Sequence, residues 1–148
     1  MSELRDLYQE VILDHNKNPR NFGVLNPHTH SADGHNPLCG DQIQVQLDVS
    51  SAGTIEAIRF TGTGCAISTA SASIMTESLQ GLSVAKAQDL LSQFQLLVTD
   101  SSQSPDPQLG KLAVLAGVRA YPMRVKCATL PWHTFQAALT GNKEVSTE

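Results

Sequence analysis

The sequence predicts an α+β fold: a small antiparallel β-sheet with helices packed on one face. Three observations predict it. Ile43, Val45, Leu47 and Val49 alternate strictly with Gln42, Gln44, Gln46 and Asp48, the two-residue period of a half-buried strand. A short Ser-Ser-Ala-Gly turn at 50–53 leads into a second apolar strand, which favours an antiparallel hairpin. Beyond Cys65 the pattern is helical almost throughout, and strands early with helices late point to α+β.

Taken in order, Ser2 can cap a first helix whose apolar positions Leu4, Leu7, Tyr8, Val11 and Ile12 share one face. The Asn-Lys-Asn-Pro-Arg stretch at 16–20 ends it, because a residue before proline avoids helical geometry. Residues 21–40 are rich in Asn, Pro, His and Gly and are expected to be loop, with a short edge strand over 29–33. The hairpin follows, with Ile55, Ala57, Ile58 and Phe60 on its second strand, which the Thr-Gly-Thr-Gly run at 61–64 breaks just before Cys65. Residues 66–79 make a thin helix of Ser, Thr and Ala, stopped by Gly81, and thin helices allow close approach of a neighbour. Ser83 can cap the next helix, which turns Ala87, Leu90, Leu91, Phe94 and Val98 inward. Residues 99–106 form a loop, Asp106-Pro107 opens a helix ending at Gly117, and a last helix is expected over 129–139, stopped by Gly141. Residues 142–148 are expected to be a polar tail on a single domain spanning 1–148.

Composition narrows the function. Ten Lys and Arg against 14 Asp and Glu give a net charge of −4, so there is no cationic excess to displace counterions from nucleic acid or to hold an anionic membrane. Hydrophobic residues at 41% and charged ones at 16% exclude a disordered chain. No apolar run approaches the roughly 18–20 residues of a spanning helix, and the start lacks the order of a secretion signal. A cytoplasmic protein with neither nucleic-acid nor membrane partners is expected.

Three cysteines are too few for a disulfide framework, leaving packing residues, a nucleophile or metal ligands. Cys39 lies in Gly34-His-Asn-Pro-Leu-Cys-Gly-Asp41, a turn-rich loop entering the first long strand. Cys65 stands where a strand hands over to a helix, and Cys127 is expected just before the last helix. Orphan N–H groups at a helix start favour the thiolate, and Arg124 and Lys126 would add to this at Cys127. A thiolate is what both a soft metal and a sulfur electrophile need. The spacing lacks the Cys-x-x-Cys knuckles of a zinc finger, so pattern alone leaves three buried cysteines as an equal reading. His28, His30 and His35 fall in polar loop, where exposed or capping roles are expected, with His35 an alternative ligand near Cys39. His133 is expected at the surface or half-buried. No nucleophile elbow, Walker loop or dinucleotide fingerprint occurs.

The Gly34–Asp41 segment resembles a known family, as do Gly62-Thr-Gly-Cys-Ala-Ile-Ser68 with Ala70-Ser-Ala-Ser73 and Arg124-Val-Lys-Cys-Ala-Thr-Leu130. These are similar to motifs of the SufU/IscU iron–sulfur cluster assembly proteins, as are Val11-Ile-Leu-Asp-His15 and Asn18-Pro-Arg-Asn21. The resemblance spans about residues 4–139. It implies that Cys39, Asp41, Cys65 and Cys127 meet at one exposed metal site holding zinc, or alternatively iron or a [2Fe–2S] cluster. Three thiolates and a carboxylate around a divalent ion would sum to −2, which Arg124 and Lys126 would help to balance. IscU-type scaffolds carry His just before the last cysteine and a Leu-Pro-Pro-Val-Lys segment upstream, where this chain has Lys126 and Ala120-Tyr-Pro-Met-Arg124. Those departures, with the added segment at about 88–106, favour the zinc-binding SufU branch. The resemblance therefore implies a sulfur acceptor and activator for a pyridoxal-phosphate (PLP)-dependent cysteine desulfurase of SufS type, handing sulfur to downstream iron–sulfur assembly proteins. Such a carrier is not a stand-alone enzyme, and the alternative is a scaffold that builds and transfers a [2Fe–2S] cluster. Cys39 is the expected acceptor, on a loop with Pro37 and Gly40 that moves without disturbing a helix, and Cys127 is the alternative.

Overall fold

The alternation at 42–49 builds the central strand. The computed structural model describes residues 2–37, 40–99, 112, 113, 115, 118, 121–141 and 144–146, and of residues 2–8 and 122 the backbone alone. In chain order the elements are α1 (Ser2–Lys17), β1 (His30–Asn36), β2 (Asp41–Val49), β3 (Ile55–Thr63), α2 (Ala66–Leu79), α3 (Val84–Thr99), α4 (Pro122–Thr140) and β4 (Glu144–Ser146). The sheet order is β3-β2-β1-β4. β2 pairs antiparallel with β3, Val45 opposite Phe60 and Leu47 opposite Ile58, and antiparallel with β1, Gly34 opposite Ile43 and Asn36 opposite Asp41.

The class is α+β, with two departures from the expected sheet. β1 runs to Asn36 and lies inside the sheet rather than at its edge. Its alternation is hidden in the sequence because the inward positions are Ala32, Gly34 and Asn36, two small residues and an amide. His30 and His35 consequently stand on a strand, not in a loop. Residues 144–146 of the expected polar tail form β4, parallel to β1 with Asp33 opposite Glu144. Three residues carry no readable period, and the free edge of β1 supplies the pairing.

Ile43, Val45, Leu47, Ile55, Ile58 and Phe60 face a core shared with the helices. Gly34 lets α4 lie flush on the sheet, since a Cβ there would collide with Thr134 Oγ1. The thin α2 is buried along most of its length, and Trp132 Nε1 donates to Ser71 Oγ at 3.2 Å while that hydroxyl donates to the Ala128 carbonyl. Phe94 of α3 stacks on Trp132 at 4.6 Å. Ser83 caps α3 by accepting the Lys86 N–H at 3.2 Å. Buried His15 ties α1 to α2 through Ser73 Oγ at 2.7 Å.

α4 corrects the expected boundaries. It begins at Pro122, seven residues before the expected start, and ends at Gly141 with φ 84°. Pro122 opens the helix where its missing N–H costs nothing, whereas Pro131 sits inside it and cannot donate to the Cys127 carbonyl one turn back. The helix expected over 106–117 lies mostly outside the described residues, though Leu112, Leu115 and Val118 are buried. Among the described residues no helix is long and apolar enough to cross a membrane.

Candidate metal centre

Three separate elements deliver three side chains to one place. Asp41 is the first residue of β2, Cys65 is the N-cap of α2, and Cys127 lies in the second turn of α4. Their carboxylate oxygen and two sulfurs all lie within 4.8 Å of one another. Three of the four residues singled out in the sequence therefore meet. The fourth, Cys39, lies outside the described residues, two positions before Asp41. Between the described residues on either side, Gly40 N–H donates to the Asn36 carbonyl at 2.9 Å.

Asp41 is buried and uses both oxygens. Oδ1 accepts the Cys65 backbone N–H at 2.8 Å, and Oδ2 lies 3.6 Å from Cys65 Sγ, close enough to accept the thiol proton. Gly64 makes this possible. A Cβ there would stand 2.8 Å from Asp41 Oδ1 and 2.6 Å from Ser68 Oγ, inside contact distance of both. Cys65 Sγ in turn accepts the Ser68 N–H at 3.4 Å, the N-cap bond that satisfies an orphan donor of α2. The Cys65 thiol is held at about 7, below its ordinary value of 9. The hydrogen bond from Cys127 lowers it most; burial opposes; the Ser68 N–H lowers it; the Asp41 charge opposes; the Ile67 N–H lowers it. The expectation of a helix-start thiolate holds at Cys65.

It does not hold at Cys127. With α4 beginning at Pro122, Cys127 is inside the helix and its N–H groups are paired along it, so the helix start does not polarise this sulfur. Its polar neighbour is one that sequence reasoning missed: fully buried Asn36, whose Nδ2 lies 3.8 Å from Cys127 Sγ. Nothing in the polar 34–41 segment marks this amide from its neighbours. Arg124 is exposed, with its guanidinium 4.4 Å over the Tyr121 ring. His35 is exposed on the outer face of the sheet and stands apart from the cluster. His133 is half-buried beside Gln95 Nε2 at 3.5 Å, and burial pushes its pKa down.

The donor set fits zinc. Two soft sulfurs and one harder carboxylate oxygen suit a borderline-soft tetrahedral ion and leave a fourth position to fill.

Residues 7–128 match the NifU-like N terminal domain family. The chain is 38% identical over 135 residues to the zinc-dependent sulfurtransferase SufU of Bacillus subtilis, covering 91% of this chain and 90% of that protein. It is 37% identical over 139 residues to the iron–sulfur cluster assembly scaffold protein IscU of Streptococcus pyogenes, covering 94% and 86%. The crystal structure of FiSufU from Fervidobacterium islandicum superposes with a TM-score of 0.83 at 31% identity, covering 90% of this chain and 96% of that one. A NifU-like N-terminal structure from Brucella abortus superposes at 0.80 with 20% identity, covering 91% and 93%, a likeness of fold alone. The matched span, the relatives and the fold agree: the chain belongs to the NifU-like N-terminal domain family, in its SufU/IscU group.

Proposed function

We propose that this protein is a zinc-binding sulfur acceptor that takes persulfide sulfur from a PLP-dependent cysteine desulfurase of SufS type. It passes that sulfur to downstream iron–sulfur assembly proteins in the reducing cytoplasm, as carrier and activator rather than as a stand-alone enzyme. The observation that carries this is the convergence of Asp41, Cys65 and Cys127 within 4.8 Å. Cys39, two positions before Asp41, supplies the fourth donor. Zinc bound by these four residues would keep the sulfurs deprotonated and guarded.

The residues divide the work. Cys65 is anchored by the α2 N-terminus, and Cys127 by its helix, so neither moves without breaking backbone bonds. Cys39 stands on the short Pro37–Gly40 connection and leaves at the lowest cost. Its thiolate attacks the outer sulfur of the donor persulfide, a new S–S bond forms, and the donor's S–S bond breaks with its electron pair returning to the donor cysteine as thiolate. No external oxidant or reductant is needed. Cys127 is the alternative acceptor. Asp41, the one oxygen donor, gives a site more labile than four sulfurs would.

The test is a single turnover with desulfurase and cysteine followed by mass spectrometry, alongside metal analysis of freshly isolated protein. One zinc and a one-sulfur mass gain on Cys39 are expected; sulfur on Cys127 and never on Cys39 overturns the acceptor assignment. The 37% identity to IscU favours a second reading, in which a [2Fe–2S] cluster is cargo on the same residues. Visible absorption bands in the isolated protein would favour it; colourless zinc protein would not.

A further inference from the structure

We propose that Asn36 is the positioning residue of this centre, fixing Cys127 as the sulfur that stays. This deepens the sulfur-acceptor reading and rests on it. Asn36 is the last residue of β1, fully buried, paired with Asp41 across the strands, and its side-chain amide reaches Cys127 Sγ at 3.8 Å. A metal-bound thiolate only accepts hydrogen bonds, so the amide must present its N–H₂ group, not its oxygen. A donor to sulfur draws charge out of the thiolate lone pair, which lowers its nucleophilicity while fixing its direction. The same residue's carbonyl takes the Gly40 N–H, four residues on. One buried residue therefore holds the Cys127 sulfur through its side-chain amide and Gly40 through its backbone. The backbone bond to Gly40 survives substitution, so a side-chain change leaves it in place. The amide donor adds to the α4 backbone in holding Cys127 back as an acceptor.

Two variants and one wild-type measurement test this. Asn36→Ala removes the donor, and Asn36→Leu removes it while filling the space. Both are expected to lose about tenfold or more in zinc affinity by competition with a chromophoric chelator, the usual scale for an outer-shell partner. With cobalt(II) in place of zinc, their sulfur-to-cobalt charge-transfer band should move to lower energy, because an undamped thiolate is easier to oxidise. After one turnover, sulfur should appear on Cys127 as well as Cys39. Should both variants fail to fold, cadmium-113 NMR of the wild type decides: the Asn36 side-chain amide proton should couple to the metal across the N–H···S bond. Wild-type zinc affinity and band position in a folded variant, or no such coupling in the wild type, would overturn the proposal. Failure of the acceptor reading shows separately, as wild-type protein that never carries sulfur on Cys39.

Discussion

Asp41 Oδ1 accepts the Cys65 backbone N–H at 2.8 Å while Oδ2 of the same carboxylate lies 3.6 Å from Cys65 Sγ. One side chain at the start of β2 thus holds both the backbone and the sulfur of the residue that caps α2. If that side chain binds metal, its support of a helix start would couple metal content to fold stability.

Zinc removal is expected to lower Tm. Ligands drawn from β2, α2 and α4 come together only in the folded chain, so binding free energy is folding free energy. With metal at about a thousand times its Kd, the loss is about 4 kcal/mol, or roughly 10 °C for a chain of this size. Differential scanning calorimetry with and without chelator measures it, and Cys65→Ser should melt near the chelated value. An unchanged melt after confirmed metal loss contradicts the coupling.

Asp41→Ala should leave most of the fold intact but uncouple sulfur transfer. Losing the charge-assisted bond to Cys65 N–H costs about 2 kcal/mol. Asp41→Asn keeps an oxygen for that N–H, so it should recover stability without recovering zinc affinity. A variant with normal zinc and normal desulfurase activation would reduce Asp41 to a cap.

In metal-free protein the reactivity of Cys65 should rise with pH about a midpoint near 7, as followed by iodoacetamide labelling and peptide mapping. Cys127→Ala should raise that midpoint, because the Cys127 hydrogen bond is the largest cause of the lowering. A thiol held low in the fold binds fewer protons there than in the unfolded chain. The metal-free fold therefore gains stability as pH rises from about 7 to 9 and loses it as pH falls through about 7. Urea unfolding at the two ends of that window checks the sign.

Gly64→Ala should cost about tenfold in zinc affinity, by pushing the Asp41 carboxylate off Cys65. Gly53→Ala is the control: φ is 85° there, so the substitution strains the backbone, but a Cβ meets nothing within 4 Å. It should lower Tm and leave zinc affinity alone. Equal affinity losses in both would mean the effect is general destabilisation.

The hairpin and α2 were legible because their signals are local: Ile43 to Val49 alternate, and a glycine-broken strand precedes Cys65. β1 was only partly legible, since its inward row of Ala32, Gly34 and Asn36 contains no large apolar residue. The start of α4 was obscured by two prolines, only one of which lies where a helix ordinarily tolerates it, and burial of most residues from Cys127 to Ala138 erases a polar face further along. At the site, the motif resemblance singled out Asp41, Cys65 and Cys127, which the fold brings together, whereas the Asn36 contact joins residues 91 apart and has no local signature.

That separation also orders the assembly of the centre in time. Asp41 and Cys65 are 24 residues apart on neighbouring structure and are expected to meet once β2 and β3 pair and the following turn enters α2. Cys127 is expected to join them when α4 docks and Trp132 is buried against Phe94 and Ser71. Before α4 docks the site would lack the Cys127 sulfur, and a tetrahedral site short of a donor holds zinc more weakly. Full metal affinity is therefore expected only once packing is complete, and full cobalt colour during refolding should not precede the change in Trp132 fluorescence.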